Sequence, residues 1–577
     1  MDHKLLSTKH PVMPEQQVYH IHSLGWENDP DEERYRVSPL DYVGTCVFTN
    51  YALFFKLGDE DKVKALEVLR CGLERTLSQT RHLSSTIEQG PDGDHWFIRR
   101  RENTVELHAQ WLDAPGEADK YPSLQDMEDS HFTTQALGDL DLWQIPHLRY
   151  GADNPAAHPD SRPVALAFKA SFIRGGLVLV THMHHLANDL SGWASFVQQL
   201  ADNCHASLTD TNYPPWDPAS LVVARRIAKP PVPDDQKVDR PAPMLNDPSV
   251  PLPLAGGRQT LLFHLPKSKA AQLKALSQPP PAPPPLPPSS AATASPSAPT
   301  RTPSTYDATI ALLWRTLTRL RHPHYTARIP RSARPLWASI IDMRQRAHPG
   351  VPPRGAAPLP FPLPQRMQRN LITAAISMPL RPWLPVGPTV GELVGGGGGG
   401  GGGGEGDDER GGEEAGEEKA WPLYRLAGWV RAMTEGAGTP AVLEMLHNSF
   451  HGLRDKTRAA ADMHNLPALS VAVSDHRAAA ALIGGGRDGA AEGAEFGFGK
   501  PVAYRQLWGR VDVGLVIIYP ARAGGEDEGL EFTLGYEKVL AKGLLEDEEF
   551  GKWFEYRGVD WEDGGSDDKD VGRWTSR

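Results

Sequence analysis

Cysteine is scarce in this chain: Cys46, Cys71 and Cys204 are the only three in 577 residues. No two of them form a C-x-x-C pair, so neither a disulfide framework nor a zinc site of that kind is supported, and a reducing compartment fits. Long apolar runs are missing too. None reaches the roughly 18–20 residues needed to span a bilayer, and Met1-Asp-His-Lys-Leu-Leu-Ser7 lacks the apolar stretch of a secretory signal. A soluble cytosolic protein with no membrane partner is expected. Net positive charge is also absent. Sixty basic residues against 72 acidic ones leave −12, which argues against general affinity for nucleic acid. Much of the acid lies in residues 405–418 and 526–568, and reads as solvated surface.

What is present exceeds one core. At roughly 150 residues per domain the length implies two to four domains, and 40% hydrophobic content with 15 Trp can fill them. Three segments interrupt the globular pattern. Residues 278–302 are dominated by Pro, Ala and Ser; residues 395–418 are a glycine run followed by an acidic Gly/Glu stretch; residues 478–493 are rich in Ala and Gly. All three read as loop insertions, because closure entropy grows only with the logarithm of loop length. A fourth, Pro-rich stretch at 229–256 still carries apolar residues. It reads as the crossover between an N-terminal domain, 16–228, and a C-terminal domain, 257–577.

Both halves alternate helices and strands. Val63, Leu66, Leu69, Leu73 and Leu77 have helical spacing over residues 59–77. Residues 164–173 and 176–183 are apolar runs parted by Arg174-Gly175, a strand hairpin. A helix follows over 191–204, with Ser191 placed to cap it. In the second half a helix begins at Ser304. Strands are expected at 337–341, 371–378, 468–473, 515–519 and 530–534, and helices at 421–433, 440–459 and 537–548.

The chemistry concentrates where the second strand of the hairpin ends: Thr181-His-Met-His-His-Leu-Ala-Asn-Asp189. His185 and Asp189 form H-x-x-x-D at a strand-to-helix junction. A histidine there suits a general base, since its ordinary pKa lies near working pH. The motif alone is weak, and a polar strand end with a local hydrogen bond explains it as well. A metal site is disfavoured: His182 and His184 face one side of a strand and His185 the other. Far downstream, Ala494-Glu-Phe-Gly-Phe-Gly-Lys-Pro501 places Gly497 and Gly499 where the backbone must turn or be approached closely. Alone it is a structural loop.

Together, in this order, the two segments resemble the BAHD family of acyl-CoA-dependent acyltransferases, in particular its fungal trichothecene 3-O-acetyltransferase-like branch, whose members carry H-x-x-x-D mid-chain and D-F-G-x-G near the C-terminus. Other stretches match in order: Val37-Ser-Pro-Leu-Asp41, the 73–78 helix, Ser304-Thr-Tyr-Asp-Ala308 with Leu313-Trp314, Ile341-Asp-Met-Arg344, Arg369-Asn370 and Ser474-Asp-His-Arg477. The chain departs from the pattern at Glu495 for Asp, Leu190 for Gly and Met343 for Gly.

The resemblance implies an α/β fold of two similar-sized chloramphenicol-acetyltransferase-like domains, each a mixed sheet flanked by helices, with a solvent channel between them. It implies an O-acyltransferase of specialised metabolism, a monomer that binds no cofactor and no metal. Its co-substrate is acyl-CoA, most simply acetyl-CoA, and its acceptor is a hydroxylated small molecule. His185 is then the catalytic base. Asp189 braces it by pairing with Arg344, and Glu495, Gly497 and Gly499 support the site. Two other readings belong beside this one. Condensation domains that use carrier-bound donors share H-H-x-x-x-D-G, and a degenerate homologue could bind a metabolite without turnover.

Overall fold

The computed structural model describes residues 16–91, 93–151, 154–221, 233–239, 256–280, 302–344, 346, 366–377, 385–395, 420–459, 466–484, 493–508, 511–522 and 525–562. Most of the insertions expected at 278–302, 395–418 and 478–493, and most of the 229–256 crossover, lie outside them. The chain divides into two compact units. The first holds Met1–Val222, Gln368–Asn370 and Ala479–Gly509; the second holds Val223–Met367, Leu371–Ala478 and Arg510–Arg577.

The first unit is built on a six-stranded mixed sheet. Its spatial order is Gln16–Ile21, Val105–Trp111, Leu166–Ile173, Gly176–His184, Phe48–Lys56 and Pro501–Gln506. Val105–Trp111 and Leu166–Ile173 run parallel and the other neighbours antiparallel. Every residue of Gly176–His184 is buried, which is why this strand reads as a continuous apolar run rather than an alternating one. Phe54, Val178 and Val180 pack into a cluster with Leu124, Met127 and Trp143. The two long helices, Lys62–Gln79 and Leu190–Thr209, are joined by hydrogen bonds from Nδ2 of the buried Asn203 to Thr76 Oγ1 at 2.9 Å and Gln79 Oε1 at 2.8 Å. A smaller sheet runs Glu32–Arg36, His95–Arg100, Thr86–Gln89.

The second unit has a seven-stranded mixed sheet: Ile372–Ile376, Trp337–Asp342, Val471–Asp475, Leu515–Tyr519, Leu530–Glu537, Arg258–Leu265 and Glu555–Glu562. Helix Thr305–Arg321 starts at a capping box of Ser304 and Asp307, as its S-x-x-D sequence anticipates. Trp314 meets Trp429 of helix Leu423–Ala437 at 5.2 Å between ring centroids. Among the described residues, no helix is long and apolar enough to cross a membrane.

Several expected details differ. The 479–509 segment, expected in the C-terminal domain, belongs to the first unit, because Pro501–Gln506 pairs with Phe48–Lys56. The strand expected at 468–473 starts only at Val471, after Leu469 adopts a left-handed φ of 64° that no strand accommodates. The helix expected over 440–459 stops at His451, before Gly452. The one expected over 537–548 is broken into the 3-10 turn Lys538–Leu540, Ala541–Leu545 and Glu548–Trp553, the last capped by Asp547.

Candidate active site

Three histidines cluster at the end of strand Gly176–His184, and their surroundings separate them. His182 is fully buried. Its Nε2 accepts from the Ile145 N–H at 3.2 Å, which leaves the proton on Nδ1 to donate to Asn50 Oδ1 at 3.0 Å. His184 is equally buried. Its Nδ1 accepts from the Leu186 N–H at 3.2 Å while Nε2 donates to the Ala157 carbonyl at 2.8 Å. Burial pushes their pKa values down to about 3 and about 4. Both rings are neutral and fully engaged, so neither is available to a substrate or a metal. Among the described residues, no group of three His, Cys, Asp or Glu is arranged to hold a metal.

His185 is different. It lies one residue past the strand and is partly exposed. Its Nδ1 has no well-formed hydrogen bond to another described residue. Crowding by protein lowers its pKa below the ordinary histidine value; its own carbonyl, Asp189, Asn370 and Asp41 oppose the shift in part. The imidazole is therefore neutral at physiological pH and ready to accept a proton.

The backbone of His185 is held at both ends. Its N–H donates to the Val47 carbonyl at 2.9 Å. Its carbonyl accepts from Asn370 Nδ2 at 2.9 Å. Asn370 is fixed in turn by Asp41 Oδ1, which accepts from its N–H and from its Nδ2, each at 3.2 Å. The other oxygen of Asp41 accepts from the Ser38 N–H at 2.7 Å and pairs with the Arg369 guanidinium. Arg369 holds a left-handed φ of 69°, a conformation glycine adopts at lower cost, and its N–H donates to Asn188 Oδ1 at 2.6 Å. Gly44 closes the other side. A Cβ there would fall on the imidazole, 2.8 Å from Cγ and 2.9 Å from Cε1. Sequence reasoning aligned Asp41 and Arg369-Asn370 with family motifs but assigned them no role, and it missed Gly44. Only Asp41 carried a readable signal, as the acidic partner of Ser38 in a capping box.

Asp189 is the N-cap of helix Leu190–Thr209, its Oδ1 accepting from the Gly192 N–H at 2.8 Å. Ser191, the expected cap, lies inside the first turn, because Leu190 is already helical. Leu190 needs no glycine: its φ is not left-handed. The tight position is Gly192, where a Cβ would stand 2.6 Å from the Arg369 carbonyl and 2.7 Å from Asn188 Oδ1.

Glu495 organises its own loop. Oε1 accepts from the N–H groups of Gly497 at 2.9 Å and Gly499 at 3.2 Å. Both glycines have positive φ, 88° and 132°, and Phe496 and Phe498 pack on Phe55 at 5.1 and 5.4 Å. Gly497 lies against the Leu190–Thr209 helix, where a Cβ would approach Leu208 Cδ2 to 2.8 Å. A groove of about 290 Å³ beside Glu495, lined also by Asp202, His205 and Asn212, does not reach His185. Arg344 and Met343 belong to the second unit. Arg344 donates to Asp342 Oδ1 at 2.9 Å and to the Met367 carbonyl at 2.8 Å. Met343 is fully buried.

Comparison with known proteins agrees with the family resemblance. The family model described as the trichothecene 3-O-acetyltransferase-like N-terminal domain matches residues 47–204. The acetyltransferase FGR3 of Gibberella zeae is 43% identical over 552 residues, 95% of this chain and 95% of its own. The solved structure of F. sporotrichioides TRI101 complexed with coenzyme A and T-2 has a TM-score of 0.62 at 18% identity, covering 91% of this chain and 100% of that one. Vinorine synthase has a TM-score of 0.54 at 16% identity, covering 92% and 96%. At such identities the solved structures establish the fold. The identity to FGR3 along nearly the whole length establishes more: this chain belongs to the trichothecene 3-O-acetyltransferase-like branch of the BAHD family and is an acyltransferase.

Proposed function

We propose that the protein transfers an acetyl group from acetyl-CoA to a hydroxyl of a specialised metabolite, with His185 as general base. One observation carries the assignment. Among the described residues, His185 is the one of the three histidines at the strand end that is only partly buried, and its Nδ1 makes no well-formed hydrogen bond, whereas both ring nitrogens of His182 and His184 are engaged.

The reaction is a direct transfer. Neutral His185 takes the proton of the acceptor hydroxyl as its oxygen attacks the thioester carbonyl. The tetrahedral intermediate collapses, the C–S bond breaks, and the proton passes from the imidazolium to the CoA thiolate. No acyl-enzyme forms. General-base catalysis of this kind contributes roughly 10²–10⁴-fold, and holding the two substrates together contributes further. The acetyl donor is favoured because the 43% identical relative is named an acetyltransferase. Relatives of the same fold have been solved with coenzyme A and T-2 and with coenzyme A and deoxynivalenol, which supports a bulky hydroxylated acceptor.

Asp189, Glu495, Gly497 and Gly499 act as braces of the base and its surroundings. The pairing of Asp189 with Arg344 that the family resemblance implies, and action as a cytosolic monomer, are part of the same proposal. The test is CoA-thiol release from acetyl-CoA across polyol, terpenoid and phenolic acceptors, with product mass read out. A product heavier by one acetyl group is expected. Turnover only with carrier-bound acyl groups would instead favour condensation chemistry.

A further inference from the structure

We propose that Asp41 is a positioning residue for the base: acting through Asn370, it fixes the His185 carbonyl and so aims the imidazole. The inference rests on the reading of His185 as the base, and deepens it.

A capping box does not require what Asp41 does. Ser123 and Asp126 form the same box at helix Leu124–Asp129, and Asp126 is exposed. Asp41 is fully buried, where an unpaired carboxylate is strongly disfavoured. The cap uses only its Oδ2, which also meets Arg369. Its Oδ1 is spent on Asn370 alone, accepting from both nitrogens. That pins the Asn370 amide so that Nδ2 also reaches the His185 carbonyl at 2.9 Å and the Leu186 carbonyl at 3.4 Å. The two carbonyls bracket the peptide that turns the chain off the strand. Fixing them, with Gly44 against the ring, leaves the imidazole little room to swing. Among the described residues, the charged and titratable groups that act on His185 are chiefly Asp41, Asp189 and His184, with Arg369 bound to Asp41. Removing the Asp41 charge takes away a group that favours the imidazolium.

The experiment compares full-length Asp41→Asn, Asn370→Ala, their double variant and Ser38→Ala, with His185→Ala as reference. Two quantities are read. One is kcat and KM for acetyl-CoA, with the hydroxylated acceptor found by the CoA-release screen. The other needs no turnover: the pH dependence of His185 carbethoxylation by diethyl pyrocarbonate, followed by peptide mass spectrometry. Asp41→Asn and Asn370→Ala are each expected to lower kcat about 10- to 100-fold, with KM for acetyl-CoA changed less than about twofold. The His185 modification curve of Asp41→Asn should move to lower pH. The double variant should be no worse than the poorer single one, since the two act in series. Ser38→Ala, which loses only the cap hydroxyl, should match the wild type in both readouts. Additive losses, a Ser38→Ala defect equal to that of Asp41→Asn, or unchanged kcat and modification curves would overturn the proposal. If Asp41→Asn does not fold, Asn370→Ala alone decides it. An active His185→Ala would refute the base instead, and the modification curves would still report on positioning.

Discussion

The side-chain amide of Asn370 donates to the backbone carbonyl of His185 at 2.9 Å, across 185 residues of sequence. His185, the proposed base, therefore stands on a framework assembled from three distant segments: Ser38–Gly44, the strand end, and Gln368–Asn370. Each can be perturbed separately.

Gly44→Ala places a methyl on the imidazole, so His185 must rotate or the 38–44 turn must move. The φ of Gly44 is −70°, which alanine adopts freely, so the damage should be local. The expected result is a kcat loss of about 100-fold with KM for acetyl-CoA nearly unchanged. Steady-state kinetics on protein of wild-type melting temperature checks it.

Asp189 combines a cap with a charge, and two variants separate them. Asparagine caps as well as aspartate does, whereas alanine costs about 0.5–2 kcal/mol. Urea denaturation should show Asp189→Asn near wild type in the cap contribution and Asp189→Ala less stable. Both remove a charge that raises the His185 pKa, so in both the acid limb of the pH–rate profile should move to lower pH.

The pH dependence has a definite sign. A base acts when deprotonated, and burial lowers the His185 pKa. The rate of the wild type should be flat through neutrality and fall in acid, with an apparent pKa below the ordinary value of about 6.5. His182 and His184, lowered to about 3 and about 4, act on stability in the same direction. The unfolded chain binds their protons first, so stability is full above about 6.5 and is lost as pH falls toward about 3. Denaturation midpoints measured across that window check it.

Glu495→Ala should loosen the Gly497–Gly499 turn, since both amides lose their acceptor. Glu495→Gln keeps an acceptor and should be milder. Gly497→Ala should be the worst of the three, because it combines a φ of 88° with a Cβ driven against Leu208. Limited proteolysis and thermal melts rank them.

The sequence displayed its elements better than its assembly. Leu515–Tyr519 and the Ser304 cap stand where period and capping chemistry put them, because both signals are local. His185 and Asp189 were legible for the same reason: one strand, one turn, four residues. The membership of Pro501–Gln506 in the first sheet was not, since an apolar strand carries no address for its partner. Nor was the cap at Asp189 rather than Ser191, which depends on where the first helical φ/ψ falls. Gly44 was silent because a glycine needed for a neighbour's ring looks like any other until that neighbour is in place. The departure at Leu190 and the match at Arg369-Asn370 change meaning in three dimensions. Position 190 is ordinary helix and demands no glycine, while Arg369 accepts a left-handed backbone in exchange for its contact with Asp41.

The most direct measurement is acetyl transfer by His185→Ala, purified as a folded protein with the wild-type circular dichroism spectrum and melting temperature. With His185 as the base, kcat should fall by about 10²–10⁴-fold while binding of acetyl-CoA persists. A folded His185→Ala that turns over at close to the wild-type rate would show that another group takes the proton.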